Sequence, residues 1–498
     1  VRFARGSPPA RAISGDSLKA DSILLGRVRT VGAGPGRSDA VAIVGDRIAK
    51  VGERRDVLEM RGTHTRVFEA PNGAIVPGFV DAHVHLVALA RRAAEVDCSK
   101  DRARTIADLQ AIVRRAARER PPGSWIRAFG YDEAFLAEKR GPSVADLDAV
   151  APRHPVRLLH RTGHAVILNG LALRLLGLAP REVTYEPGGL LRGKIPTIDS
   201  GETSRLVGEA SLRLLATGVT MAHDPTPGQE NADLAALRGW ANDRTIRQRL
   251  VAYGNLAAFQ GRREDGSSRF FHAGVKIVIE EGSAPEEIAE AVAIADRAGA
   301  QVALHAVEGG PLVIALDALR RLGSERVRLR RHRIEHAALC PAALSREIGR
   351  AGATVVTHPD FLRLFGEKYA SELEGEEHDD LYPLRSLLDA GVPLALGSDA
   401  PIGVSLPLAA IDSASRRTTA GGRVLGGSQA LDVARALELH TCAGATAAGL
   451  ETVLGSIEPG KLADLVLLDA DPLAVPVDEV ASIGVRATLV GGEVAWPT

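Results

Sequence analysis

Short apolar runs punctuated by turn residues open and close this chain, and in its middle similar runs alternate with helix-length segments. Between Ser22 and Ala70, Ile23-Leu24-Leu25, Val41-Ala42-Ile43-Val44 before Gly45-Asp46, and Ile48-Ala49-Lys50-Val51 before Gly52 read as strands of a small antiparallel sheet. The same texture returns after Gly455, where Ala463 to Asp469 and Val485 to Val490 precede Gly491-Gly492 and a last strand. Two β-rich ends most economically complete one β-sandwich, with parts at 1–76 and 445–498.

Between them, strand-like runs alternate with helices, the pattern of a parallel α/β architecture. The runs end in polar residues: 393–397 before Ser398-Asp399, 353–357 before His358, 331–335 before His336, 301–304 before His305, and 275–279 carrying Lys276. Runs at 249–253 and 218–222, with the one ending in His83 and His85, complete eight strands. Eight β/α units predict a closed (β/α)8 TIM barrel over 77–444, with its active site at the C-terminal strand ends. The stretch from about 87 to 215 is too long for one crossover and is expected to be an insertion after the first barrel strand. Insertions on that face usually shape access to the site.

Composition narrows the function classes. The 498 residues carry 61 basic and 62 acidic side chains, so no global charge favours nucleic acid or an anionic membrane as partner. A small-molecule substrate is the expectation, with a homodimer left open. Cys98, Cys340 and Cys442 are odd in number and far apart, which argues against a disulfide framework and for a reducing, cytoplasmic setting. No apolar stretch reaches membrane-spanning length.

The candidate chemistry sits on the strand ends. In a β-strand, residues i and i+2 project from one face, so His83 and His85 of Pro77-Gly78-Phe79-Val80-Asp81-Ala82-His83-Val84-His85 can reach one cation. Alone the pair is weak evidence. Lys276, His305, His336 and Asp399 around the same barrel mouth make it a hydrolytic metal site, which needs imidazoles and carboxylates converging with a position left for water. Several of these residues have simpler readings: Lys276 could pair with Glu280 or Glu281, Asp399 could cap a helix, and His223 could be structural. The acidic run from Glu372 to Asp380 reads as a solvated loop or a lid.

The chain resembles the amidohydrolase superfamily, in its amidohydrolase-3 or YtcJ-like branch. The strand-1 motif carries the likeness together with Trp125-Ile126-Arg127-Ala128-Phe129-Gly130-Tyr131-Asp132-Glu133, Gly163-His164, Lys276, His305-Ala306, Arg333-Ile334-Glu335-His336, Gly397-Ser398-Asp399-Ala400-Pro401 and Gly460-Lys461-Leu462-Ala463-Asp464-Leu465. The resemblance implies one or two divalent metals, commonly zinc. His83, His85 and Asp399 would hold one ion and His305 and His336 the other, with Lys276 bridging as a CO2-derived carbamate. It also implies Asp399 as proton shuttle and His164 as a hydrogen-bond donor to substrate. His358, where such sequences often carry glutamine, is read with Asp132 and Glu280 as substrate-binding.

The implied reaction is hydrolysis of a C–N bond in a non-peptide amide of the N-acyl or N-formyl type. Deamination, cyclic-amide opening and carbamate or ester hydrolysis are alternatives that the same ligands could serve. A non-catalytic scaffold would have no physical need for such a charged cluster. Substrate choice is expected to rest on Glu280-Glu281-Gly282 and Val307-Glu308-Gly309-Gly310, which depart from the family pattern.

Overall fold

Short, largely apolar runs rich in Val, Ile, Leu and Ala are buried on both faces, as parallel strands under helices must be. In this computed structural model eight of them form the central sheet: β1 (Phe79–Asp81), β2 (Val219–Asp224), β3 (Arg249–Gly254), β4 (Phe270–Val278), β5 (Gln301–Glu308), β6 (Arg333–Leu339), β7 (Thr354–Thr357) and β8 (Leu394–Leu396). The structure describes residues 19–31, 38–161, 165–179, 199–259 and 269–497, and the backbone of the short strands Thr184–Tyr185 and Arg263–Glu264.

The sheet order runs from β8 through β7 and so on to β1, all neighbours parallel. Its two edges meet beyond the regular strands. Ala82 N–H donates to Leu396 O (3.2 Å), Asp399 N–H to His83 O (2.7 Å) and His85 N–H to Ala400 O (2.8 Å). The barrel thus closes through the residues expected to carry the chemistry. Gly397 is required there, because a Cβ on it would lie 2.6 Å from His83 N. Outside, helices such as Pro285–Arg297 and Gly309–Leu322 bury Val292, Ala295, Leu312, Leu316 and Leu319 against the strands.

Both chain ends contribute to one seven-stranded sheet, in the order Glu493–Trp496, Val485–Val490, Leu465–Leu468, Arg66–Pro77, Ser22–Val28, Ala40–Val44, Arg47–Gly52. It folds over its own core of Leu24, Val41, Ile43, Ile75, Leu465 and Leu467. Its edge returns to the C-terminal segment, where Ile48 N–H donates to Lys461 O (2.9 Å) and Gly460 N–H to Ile48 O (2.8 Å). Between β1 and β2 stands a five-stranded sheet of Val96–Asp97, Ile126–Tyr131, Val156–His160, Ala165–Leu168 and Thr184–Tyr185. Leu109, Val113, Ile126, Leu147 and Val156 give it a separate core. Helix Ser200–Ala216 then leads back to the barrel. The acidic run holds exposed side chains from Glu374 to Glu377, while its end is tied to β6 by Cys340 N–H donating to Asp380 O at 2.8 Å. All three cysteines are free, and no described helix is long and apolar enough to cross a membrane.

Two buried polar groups hold the barrel to its surroundings. Arg249 at the start of β3 donates through Nε (2.7 Å) and Nη2 (2.9 Å) to the Asp464 carboxylate of the end sheet. At the floor of the barrel, Val302 N–H donates to His332 Nδ1 at 3.0 Å, so the proton resides on Nε2, 3.2 Å from Asp296 Oδ1. Burial pushes the His332 pKa down to about 4.

Replacing Arg249 by Met strands the Asp464 charge and is expected to cost about 3–5 kcal/mol in denaturant unfolding; a loss under about 1 kcal/mol would show that the pair is not a structural tie. A histidine that folds with a lowered pKa binds fewer protons folded than unfolded, so its contribution is complete above pH 6.5 and is lost as the pH falls toward 4. Asn at 332 keeps an acceptor for Val302 N–H and does not titrate, so unfolding free energies of His332→Asn should fall less steeply than wild type over that window.

Candidate metal centre

β1 and β8 are short, and the segments just beyond them carry the first three functional side chains. His83 and His85 leave the end of β1 on one face. His85 Nε2 lies 3.1 Å and His83 Nε2 3.6 Å from Asp399 Oδ1. Asp399 adopts φ +53°, an unfavourable conformation for most side chains, and its neighbourhood over-determines it. Ser398 N–H and Oγ both bond the buried Asp81 carboxylate, at 2.9 and 2.7 Å, and Ser405 Oγ adds a bond of 2.6 Å.

His336 reaches the same point by a local break in β6. On a regular strand Glu335 and His336 would face opposite sides. The pairing of β5 with β6 slips between Ala306 and Glu308, and His336 (φ +74°) and Ala337 (φ +46°) turn out of the extended region. Glu335 and His336 therefore both serve the centre. His305 lies beside His336, with ring centroids 4.4 Å apart, and His358 at the end of β7 lies 4.8 Å from His336 and 5.1 Å from His83. Lys276, near the end of β4, is buried.

Glu335 organises this cluster. It is fully buried, accepts from Arg333 Nη2 at 2.8 Å and accepts from His83 Nδ1 at 2.6 Å. Burial pushes its carboxyl up, but Arg333 and Lys276 outweigh that and hold it below the usual carboxylate range. An ionised carboxylate only accepts, so Nδ1 of His83 carries the proton and Nε2 presents its lone pair inward. Arg333 also donates to Ala82 O (2.6 Å) and Tyr253 Oη (3.0 Å) and meets His223 Nδ1 at 3.2 Å. His85 Nδ1 is likewise occupied, 2.9 Å from Thr226 Oγ1.

Burial, reinforced by Lys276, holds His83 well below its ordinary pKa and brings His305 to about 4; burial and the neighbouring His358 lower His336. Burial brings Lys276 down to about 8. The Asp399 carboxyl, pushed up by burial, is pulled below its usual range by the hydrogen bond with His85. Neutral imidazoles around an ionised carboxylate are the donor forms a divalent cation requires.

The donor set fits such a cation. Among the described residues, His83 Nε2, His336 Nε2, His358 Nε2 and Lys276 Nζ are buried without a hydrogen-bond partner. Ligand atoms of His83, His85 and Asp399 lie within 4.8 Å of one another, as do those of His83, His336 and His358. Buried nitrogens left unpaired are costly unless something shares their lone pairs.

Asp132 and Glu280 are not among the side chains grouped at this centre. Glu280 is exposed on the turn after β4, and Lys276 pairs with neither it nor Glu281. Asp132 lies in the insertion, where Arg161 Nε donates to it at 2.5 Å and His160 Nε2 stands 3.9 Å away. Arg161 in turn stacks over Phe365 of helix Phe361–Glu372, with 5.0 Å to the ring centroid, and so ties the insertion to the segment after β7. His164 lies outside the described residues. Glu335, Arg333 and Thr226 are the functional residues that strand-end reasoning missed. Arg333 and Glu335, two apart on a strand of a closed barrel, were a readable signal, since charges at one interior face need partners.

A parallel eight-stranded barrel with imidazoles and a carboxylate converging on its C-terminal mouth defines a class of metal-dependent barrel hydrolases. This chain belongs to the amidohydrolase family, whose model matches residues 66–495. It is similar to the N-substituted formamide deformylase of Arthrobacter pascens, with 28% identity over 94% of this chain and 97% of the relative. YtcJ of Bacillus subtilis (strain 168) is 23% identical over 92% of this chain and 96% of its own. A solved, uncharacterized metal-dependent hydrolase of Pyrococcus horikoshii OT3 shares the fold, with TM-score 0.75 and 23% identity over 92% of this chain and 99% of its own. The protein is a hydrolase acting on carbon–nitrogen bonds.

Replacing Glu335 by Gln removes the charge that fixes His83 and balances Arg333. Metal affinity, read by chelator competition, should fall about 10- to 100-fold. Unchanged affinity would mean that His83 is oriented by other contacts.

Proposed function

We propose that this enzyme hydrolyses the C–N bond of a non-peptide amide of the N-formyl or N-acyl type, releasing a carboxylate and an amine. The observation that carries the reading is the pair of ligand groups that share His83 at the barrel mouth, one with His85 and Asp399 and one with His336 and His358, the Nε2 atoms of His83, His336 and His358 being buried and unpartnered among the described residues. The likeness to a formamide deformylase over nearly the whole chain supports the acyl class.

His83, His85 and Asp399 would hold one divalent ion, zinc fitting the nitrogen-rich set, and His305 and His336 a second. Bound ions of this kind bring the pKa of water toward neutrality and polarise a carbonyl. Lys276 is buried with no partner for its Nζ among the described residues, and a free ammonium there would repel both ions. As a carbamate, formed by attack of Nζ on CO2 with loss of a proton, it would be an anion able to hold both ions.

Asp399 is the group placed to move the proton. Its Oδ1 faces both His83 and His85, and the bond from its backbone N–H to His83 O fixes the carboxylate relative to the strand-1 histidines. It accepts a proton from the attacking water and delivers it to the departing nitrogen. An amine leaves poorly unless protonated, so one carboxylate serving both moves matches the demand of amide cleavage. His164 and Asp132 belong in this reading to the substrate side, carried by the insertion.

Purified full-length protein is expected to hold one to two divalent ions per chain, and no ion after metal supplementation would sink the reading. Across a panel of formamides, N-acyl amino acids, carbamates and nucleobases, turnover should release formate or another carboxylate with the amine; ammonia release from nucleobases alone would make it a deaminase. Asp399→Asn should lower kcat by about 10²- to 10⁴-fold with the fold intact, and a kcat near wild type would remove Asp399 as the shuttle.

A further inference from the structure

His358 closes β7 and is 1% exposed, with one ring nitrogen facing the barrel wall and the other facing the centre. Its Nδ1 lies 2.9 Å from Gly397 O. A carbonyl oxygen only accepts, so Nδ1 carries a proton, and in the neutral ring that leaves the lone pair on Nε2. Among the described residues that buried Nε2 has no partner, and it groups with the ligand nitrogens of His83 and His336 within 4.8 Å. Phe361 packs on the ring at 5.5 Å between centroids and holds it against that point.

We propose that His358 is a metal ligand, giving its Nε2 lone pair to the same ion as His336. The inference rests on the reading of this centre as one that binds divalent metal, and it moves His358 from the substrate side to the metal. Core histidines in the same fold are satisfied differently. His332 has both ring nitrogens engaged, by Val302 N–H and Asp296. His272 also leaves Nε2 unpartnered, yet among the described residues it gathers with no other ligand atoms. An unpartnered nitrogen alone is therefore not the signal; convergence is.

Lone-pair counting supports the assignment. Glu335 fixes the His83 tautomer as Gly397 O fixes that of His358, so both present acceptors toward a shared space. Neutral acceptors crowded together find no donor in each other, whereas a cation satisfies all of them. His83 Nε2 has one lone pair and can serve one ion. With His83 committed beside His85 and Asp399, the ion at His336 gains His358 as a second imidazole, and the His305 ring lies 4.4 Å from that of His336. An added neutral ligand holds that ion without adding negative charge, which preserves its strength as a Lewis acid.

The test uses full-length protein carrying His358→Asn or His358→Gln. Asn sets its amide nitrogen near the position of Nδ1, keeping a donor for Gly397 O while deleting the ligand atom; Gln is the second variant should Asn impair folding. Metal-stripped proteins are titrated with Zn²⁺ and Co²⁺ against a chelator, and the visible spectrum of the Co²⁺ form is recorded. The expected result is at least about tenfold weaker binding of one ion and an altered Co²⁺ spectrum, with thermal unfolding of the metal-free protein unchanged. Wild-type affinity and spectrum in both variants, with a raised KM, would overturn the proposal and return His358 to substrate binding. Absence of metal binding by the wild type would instead overturn the reading on which it rests.

Discussion

The Glu335 carboxylate, sealed between Arg333 and His83, is the interaction on which the centre depends. A buried charge is tolerated only where partners repay its desolvation, and here two are within hydrogen-bond reach, at 2.8 Å from Arg333 Nη2 and 2.6 Å from His83 Nδ1. The arrangement does more than balance charge. By accepting the Nδ1 proton it makes His83 Nε2 a lone-pair donor, and Arg333, bonded to Ala82 O, fixes the backbone from which both strand-1 histidines project. The carboxylate thus sets the tautomer of His83, and the arginine it balances holds the backbone just before that histidine.

Barrel closure and site assembly are the same event. The edges β1 and β8 meet through backbone bonds at Ala82, His83, His85, Asp399 and Ala400, and Gly397 permits the approach. The left-handed conformations of His336 and Asp399 are costs concentrated at the centre, offset by the packed barrel around them and by the Asp81 to Ser398 bonds. A site built this way is preorganised by the scaffold rather than by loops. Arg161, held by Asp132 and stacked on Phe365, is where the insertion meets the barrel segment following β7.

Much of this was legible in the sequence because barrel strands end where their apolar runs end. The histidines at 83, 85, 305 and 336 and the aspartate at 399 could be ordered around one mouth by counting strands, and the two β-rich ends could be joined into one sheet. What was not legible depends on departures from regular geometry. Strict alternation sends Glu335 and His336 to opposite faces, and the slip between β5 and β6 that brings them together leaves no mark in composition. Likewise His358 stood out as unusual in type, but its role turns on a bond from Nδ1 to Gly397 O, a residue 39 positions away. Glu280, read as bordering the site, is exposed because the turn after β4 carries it outward.

X-ray absorption at the K-edge of the bound metal tests the central claim most directly, because it reports ligand type without needing a substrate. Nitrogen and oxygen neighbours at about 2.0–2.1 Å, with the outer-shell scattering of several imidazoles, are the predicted result. A sulfur-ligated metal, or one with no imidazole signature, would contradict the account.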